Sequence, residues 1–180
     1  MRTVIVLSKD VIDMLTIVRR IQDLDFSQLM QIYIEGNKEN GQLQYPHLSA
    51  DQQILMAEQD FYNYLSAVFF KTPGSFYALW ASDGRYQSAL RMEPYSDCYL
   101  LAALETRPEA RRKGYACMLI NATCAFLAER GVSKLYSHVG KRNIPSLRTH
   151  ERCKFTAVLD YAVYVDGSVT HNSLTFCREL

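Results

Sequence analysis

Apolar positions along this chain recur at two periods, and each change of period marks an element. Asp25 with Gln28 forms a capping box, and Phe26, Leu29, Met30 and Tyr33 follow at helical spacing until about Gly36. A polar stretch with Asn40-Gly41 as a turn signal predicts a loop. Ser49 and Gln52 repeat the capping box, and Ile54, Leu55, Phe61, Tyr62, Leu65 and Phe69 continue a second helix until Thr72-Pro73-Gly74. The pattern then becomes strand-like over residues 75–81 and 85–92, with Asp83-Gly84 as a two-residue hairpin turn. A turn over residues 94–97 leads into a third strand, 98–106, which Pro108 ends because it has no N–H to give a ladder. From Tyr115 the helical period returns through Met118, Leu119, Ala122 and Phe126, with Gly131 as a C-cap. A strand over 134–139 should lie parallel to 98–106 by the right-handed crossover rule. Asn143 and Pro145 open a short helix, and residues 158–165 and 173–178 close the chain as a hairpin around Asp166-Gly167.

The stretch 104–131 carries the most chemistry. Arg111-Arg112-Lys113-Gly114-Tyr115-Ala116 places three cations before a helix start whose free N–H groups and dipole favour an anion. Gly114 removes a side chain where a phosphate would approach the backbone. From these residues alone, a phosphate-bearing ligand and a solvated basic helix entrance both stay open. A Walker A loop is excluded, since Lys113 precedes Gly114 and Tyr115 follows it. A dinucleotide fingerprint is excluded as well, since it needs three glycines and one is present.

At 180 residues, with 48% hydrophobic residues and net charge +1, a single globular domain spanning 1–180 is expected. The charge balance offers no general case for nucleic acid as partner. Cys98, Cys117, Cys124, Cys153 and Cys177 are an odd set without C-x-x-C pairing. That predicts reduced thiols and a cytoplasmic location, and argues against a metal site. Only residues 4–7 near the N-terminus are an apolar run, so neither a signal peptide nor a membrane span is expected.

R-x-x-G-x-A, filled by Arg111, Gly114 and Ala116 behind an apolar strand, resembles the acyl-CoA signature of the GNAT superfamily of acetyl-CoA-dependent N-acetyltransferases. The resemblance continues to Phe155 and, in order of elements, over most of the chain. It implies an α/β fold: a mixed, twisted, mostly antiparallel sheet with a central splayed parallel strand pair and helices on both faces. It also implies that members begin with a strand such as residues 15–22. Residues 1–13 then remain open between an added edge strand and an N-terminal extension. For the cofactor site the resemblance implies that Arg111, Arg112, Lys113, Gly114, Tyr115 and Ala116 hold the pyrophosphate of acetyl-CoA. Leu104, Glu105 and Thr106 would pair with the pantetheine arm through their main chain, and Asn143 would orient it. The two helices after residue 25 would wall the acceptor site, with Glu35, Glu39, Glu58 and Asp60 within reach of a cationic amine.

A second family pattern, N-x-x-[AS]-x-x-x-Y-x-x-x-G-F, aligns with Asn143, Ser146, His150 and Phe155 and departs from it twice. His150 stands where the family carries a general-acid Tyr, exchanging an ordinary pKa of about 10 for one near about 6.5. Lys154 replaces the Gly before Phe155, which bears on backbone strain at a helix end. His138 lies five residues before Asn143, where the branch that acetylates protein N-termini has a general-base Glu. Glu105 is a further base candidate beside the thioester path. The cysteines do not read as nucleophiles.

The implied activity is acetyl transfer from acetyl-CoA to a primary amine, with His150, His138 and Glu105 as candidate catalytic groups. The rival reading is a non-catalytic acyl-CoA-binding regulatory module. The acceptor is not legible, and the oligomeric state stays open, a homodimer included.

Overall fold

The computed structural model describes residues 2–8 and 11–180, with residues 2–8 and 11–13 as backbone only. Eight strands form one sheet in the order β1-β2-β3-β4-β5-β6-β10-β7. They are β1 (Arg2–Ser8), β2 (Val11–Val18), β3 (Phe76–Ser82), β4 (Arg85–Tyr95), β5 (Cys98–Thr106), β6 (Lys134–Gly140), β7 (Thr156–Leu159) and β10 (Ser173–Glu179). All neighbours are antiparallel except β5 and β6. A separate two-stranded ribbon joins β8 (Ala162–Val163) to β9 (Val169–Thr170).

Helices cover both faces. On one side α1 (Phe26–Ile32), α2 (Ile34–Gln44) and α3 (Ala50–Ala67) pack over a cluster that includes Leu29, Ile32, Leu65, Phe69, Tyr77 and Leu79. On the other, α4 (Tyr115–Ala128) and α5 (Ile144–Arg152) cover Leu90, Met92, Leu101, Leu119, Phe155 and Phe176. β3 is buried along its whole length because both layers press on it.

Both N-caps form, and the Ser49–Gln52 capping box closes, whereas the Gln28 side-chain oxygen accepts from the Tyr86 N–H instead of returning to the Asp25 backbone. Asp25 and Ser49 each accept from the N–H three residues on, of Gln28 and Gln52. Asp83 and Gly84 both take positive φ, 51° and 72°, as a tight hairpin turn requires. The first family strand ends earlier than expected, at Val18. The Arg20–Asp23 ion pair and the Leu24 N–H on the Ile21 carbonyl curl the chain into a 3-10 turn there.

The predicted loop around Asn40-Gly41 is helix. α2 runs through it because a glycine is needed for contact rather than for turning. A Cβ at Gly41 would lie 2.4 Å from the Gln53 carbonyl oxygen, so α2 and α3 cross almost backbone to backbone. In α4 the buried face is Leu119, Ile120, Thr123, Cys124, Phe126 and Leu127, while Met118 is exposed.

The closing hairpin is also rearranged. β10 lies between β6 and β7, and the expected strand over 158–165 breaks into β7 and β8. Asp166-Gly167 turns the small ribbon, where Asp166 accepts from the Ser168 N–H. Residues 1–13 contribute an added edge strand, β1, antiparallel to β2, which itself starts at Val11; Met1, Lys9 and Asp10 lie outside the described residues.

Lys154, in the family's glycine position, has φ of 62°. It follows α5, where the Phe155 N–H bonds the His150 carbonyl. A left-handed lysine is strained, so Lys154→Gly should raise stability by about 0.5–1 kcal/mol despite glycine's greater freedom when unfolded. Urea unfolding of the two proteins measures the difference.

Candidate active site

The parallel pair is registered over three positions only: Tyr99 with Leu135, Leu100 with Tyr136, and Leu101 with Ser137. Beyond Leu101 the strands part while each keeps its outer neighbour. Glu105 and Thr106 stay paired with Ala89 and Ser88, and Val139 and Gly140 with Leu174 and Ser173. The inner edge of Leu104, Glu105 and Thr106 therefore faces a gap. A bulge opens it: β4 and β5 slip register between Ala89 and Arg91, opposite Ala103 at φ 49°. Tyr33, at the joint of α1 and α2, donates its hydroxyl to the Ala103 carbonyl at 2.6 Å and holds the bulge. Burial pushes the pKa of Tyr33 up to about 12, so it is a permanent donor. Sequence reasoning placed Tyr33 in a hydrophobic stripe; its bond to a residue 70 positions away has no local signal.

Beyond the gap, Arg111, Arg112, Lys113 and Gly114 form an exposed turn into α4. Arg112 and Gly114 have φ of 65° and 90°. Gly114 is the N-cap, no side chain caps the first-turn N–H groups, and a Cβ at Gly114 would meet nothing within 4 Å. Tyr115 and Ala116 begin the helix half-buried. This open, cationic, uncapped helix end fits a pyrophosphate. The Arg111 guanidinium itself turns back to Glu35 at 2.6 Å and Glu105 at 3.3 Å, which raise its pKa, the Glu35 hydrogen bond most.

Asn143 caps α5, its Oδ1 accepting from the Ser146 N–H at 3.1 Å. One turn on, His150 is 1% exposed. Its Nδ1 lies 2.8 Å from the Ser146 carbonyl, which can only accept, so Nδ1 carries a proton. Its Nε2 lies 2.9 Å from the Ser137 Oγ, and that Oγ lies 3.1 Å from the Leu101 carbonyl. Ser137 has one proton for two acceptors. With neutral His150 it goes to Nε2; with charged His150, Nε2 donates to Ser137 and Ser137 donates to Leu101. Ser137 was not singled out by sequence. It belongs to the last registered parallel pair, so the network ends where the strands part.

His138 points to the opposite sheet face. Its ring makes edge contacts with Tyr95 and Tyr164, with centroids at 5.7 and 5.1 Å, and neither nitrogen has a partner. Burial lowers the pKa of His138; it also lowers that of His150, partly opposed by the Ser146 carbonyl. Glu105 is less free. Its Oε1 accepts from the Thr106 N–H at 3.0 Å and meets Arg111. Of the acidic candidates, Glu35 is held by Arg111, Asp60 accepts from the Tyr45 hydroxyl, and burial raises the pKa of Glu58; Glu39 follows Glu35 by one turn of α2. Among the described residues no group of His, Cys, Asp or Glu is placed to hold a metal, and no helix is long and apolar enough to cross a membrane. All five cysteines are unpaired.

The family model for the acetyltransferase (GNAT) family matches residues 29–155, well over half of the chain. The chain belongs to the GNAT acetyltransferase family. Solved structures agree on the fold of this GNAT protein. The PaiA N-acetyltransferase from Thermoplasma acidophilum, solved with coenzyme A, superposes with TM-score 0.62 at 11% identity, over 92% of this chain and 99% of that one. A GNAT acetyltransferase from Bacillus anthracis gives 0.59 at 12% identity over 98% of both chains. The ribosomal-protein-S18-alanine N-acetyltransferase from Escherichia coli gives 0.57 at 15% identity, over 92% of this chain and 93% of that one. A search of curated proteins found no match.

The lowered pKa of His150 fixes a sign. Between its folded value and the ordinary 6.5, the unfolded chain binds the proton that the folded protein refuses. Stability should therefore fall as pH drops below about 6.5, and His138 adds to the slope in the same direction. Chemical unfolding at several pH values should show a shallower slope in His150→Gln than in the parent.

Proposed function

We propose that the protein transfers an acetyl group from acetyl-CoA to a primary amine by direct attack in a ternary complex. The carrying observation is the parted β5–β6 pair leading to the uncapped, cationic start of α4. Family membership supports acyl transfer in general, and the PaiA relative was solved with coenzyme A. In this reading the backbone of Arg111, Arg112, Lys113, Gly114, Tyr115 and Ala116 holds the pyrophosphate, and Leu104, Glu105 and Thr106 hold the pantetheine arm by main chain. Asn143, by capping α5, holds His150 in place.

The two histidines flank the sheet and take opposite parts. Neutral His138 accepts a proton from the attacking amine. As the C–N bond forms and the C–S bond breaks, the thiolate takes a proton from the Ser137 hydroxyl. Charged His150 replaces that proton through Nε2 and becomes neutral. His150 and Ser137 are both buried, and in this reading Ser137, in the last registered parallel pair, relays the proton between the imidazole and the gap. The single domain, with unpaired thiols, is assigned to a reducing cytoplasmic setting. A non-catalytic acyl-CoA-binding module is the second reading, favoured by the absence of a Tyr at position 150.

A thiol-release assay with acetyl-CoA across an amine panel tests the reading. Turnover with any amine supports the enzyme; binding of acetyl-CoA without turnover across the panel supports the module. Gly114→Glu should abolish acetyl-CoA binding in calorimetry. It puts a carboxylate and a strained left-handed side chain into the space left for the anion. Undiminished affinity would remove the pyrophosphate assignment.

His150→Phe should lower the chemical step on the order of 10–10⁴-fold with little change in cofactor affinity. As an acid His150 must be charged, so activity should fall as pH rises through its lowered pKa. His138 as base imposes loss at lower pH, which gives a bell with a narrow top. His150→Tyr should extend activity toward alkaline pH. A pH–rate series with chemistry limiting checks both variants; an unchanged alkaline limb in His150→Phe would make His150 structural.

A further inference from the structure

The buried, unpartnered side-chain atoms of the described residues are Trp80 Nε1, Arg91 Nε, Glu93 Oε1 and both nitrogens of His138. All but the indole lie on one face of the central strands. Arg91 is paired across β4–β5 with Ala102, and Glu93 with Leu100, which is itself paired with Tyr136 on β6. Side chains two apart on a strand share a face, so His138 joins Tyr136, Glu93 and Arg91. This is the face under α1–α3, opposite the one His150 uses.

Isolated buried polar atoms without partners are rare, and several together on one surface call for an explanation. Arg91 and Glu93 approach to 3.3 Å, Nε to Oε1, yet out of line, so neither atom is satisfied. Their side chains are 17% and 20% exposed, so a molecule in the cleft can reach both. The Arg91 guanidinium lies 5.0 and 5.7 Å from the ring centroids of Tyr64 and Phe69, which fix its plane from the helix layer. Tyr95 and Tyr164 flank His138 in the same way. Aromatic walls thus hold a misaligned Arg91–Glu93 ion pair and, beside it, a base without a hydrogen-bond partner in one surface.

We propose that this face is the acceptor subsite and that it selects an amine carrying a carboxylate, that is, a free amino acid. The inference rests on the acetyltransferase reading above and narrows its acceptor. The carboxylate meets the planar Arg91 fork, which suits bidentate binding. The ammonium approaches past Glu93, loses one proton to solvent on entry, and gives a second to His138 as it attacks beside the parted strands. Arg91 faces Ala102, one residue past the last parallel pair, and His138 is likewise one residue past Ser137. The two groups therefore flank β5 at the mouth of the gap, more than two paired-strand spacings, or about 10 Å, apart across the sheet. A carboxylate gives the Arg91 Nε–H the aligned acceptor that Glu93 does not; a simple alkylamine offers it none, which costs transition-state binding.

The test pairs each amino acid with its decarboxylated amine: lysine with cadaverine, and phenylalanine with phenethylamine. Thiol release should give kcat/KM at least 10-fold higher for the amino acid of one pair. Arg91→Lys should erase that ratio, mainly through KM, while acetyl-CoA affinity by calorimetry stays unchanged. Arg91→Gln, a second variant should Arg91→Lys not fold, should erase the ratio in the same way, whereas Glu93→Gln should raise KM for both members of a pair. Equal or better turnover of the decarboxylated amines overturns the inference and leaves acetyl transfer standing. Amino-acid binding to the CoA complex, seen as a shift of the His138 ring signals without turnover, removes the transfer reading and keeps the subsite. Absence of both turnover and binding for every amino acid overturns the subsite.

Discussion

The parting of β5 from β6 is the constraint on which the site depends. Two parallel strands lose their mutual hydrogen bonds beyond Leu101 and Ser137, a loss a buried sheet does not accept without compensation. Each strand keeps its outer ladder, and the bulge at Ala103 turns β5 away under the Tyr33 hydroxyl. The gap is thus held open by antiparallel neighbours and one long-range hydrogen bond. The groups proposed for chemistry are arranged around it: the main chain of Leu104–Thr106, the Ser137–His150 network on one face, and His138 on the other.

The two histidines show how the sheet separates roles. Both are depressed in pKa by burial, yet their partners differ. His150 is fixed in orientation and tautomer by a carbonyl and a serine, whereas His138 has rings around it and no hydrogen-bond partner. A group bound at both ring nitrogens can pass a proton along a fixed line. A group with a free lone pair can accept one from an incoming molecule. Their placement on opposite faces of β6 and α5 matches a reaction in which nucleophile and leaving group come from opposite sides.

The Arg111–Glu35 pair links the basic turn to α2. Both groups are exposed, so the pair contributes little to stability, about 1 kcal/mol at most. An anion at the α4 N-terminus would compete for the same guanidinium, so the basic turn and α2 are in electrostatic contact.

Local rules in the sequence determined much of this protein: the Asp25 and Ser49 N-caps, the Asp83-Gly84 hairpin, the bounds of β5, the start of α4 and the Asn143 cap. Each depends on residues within four positions of one another, where side chain and backbone meet whatever the rest of the chain does. The glycine turn Arg111–Ala116 was legible for the same reason. Tertiary structure decided the rest. Gly41 reads as a turn until Gln53 of another helix is seen against it, and the final strands re-pair because β10 finds β6 as well as β7. Ser137, Tyr33 and Arg91 carried no signal, since a serine, a tyrosine and an arginine at strand or helix spacing look alike wherever they point. Their meaning comes from contacts across the sheet at long sequence separation, and only the packed fold brings those together.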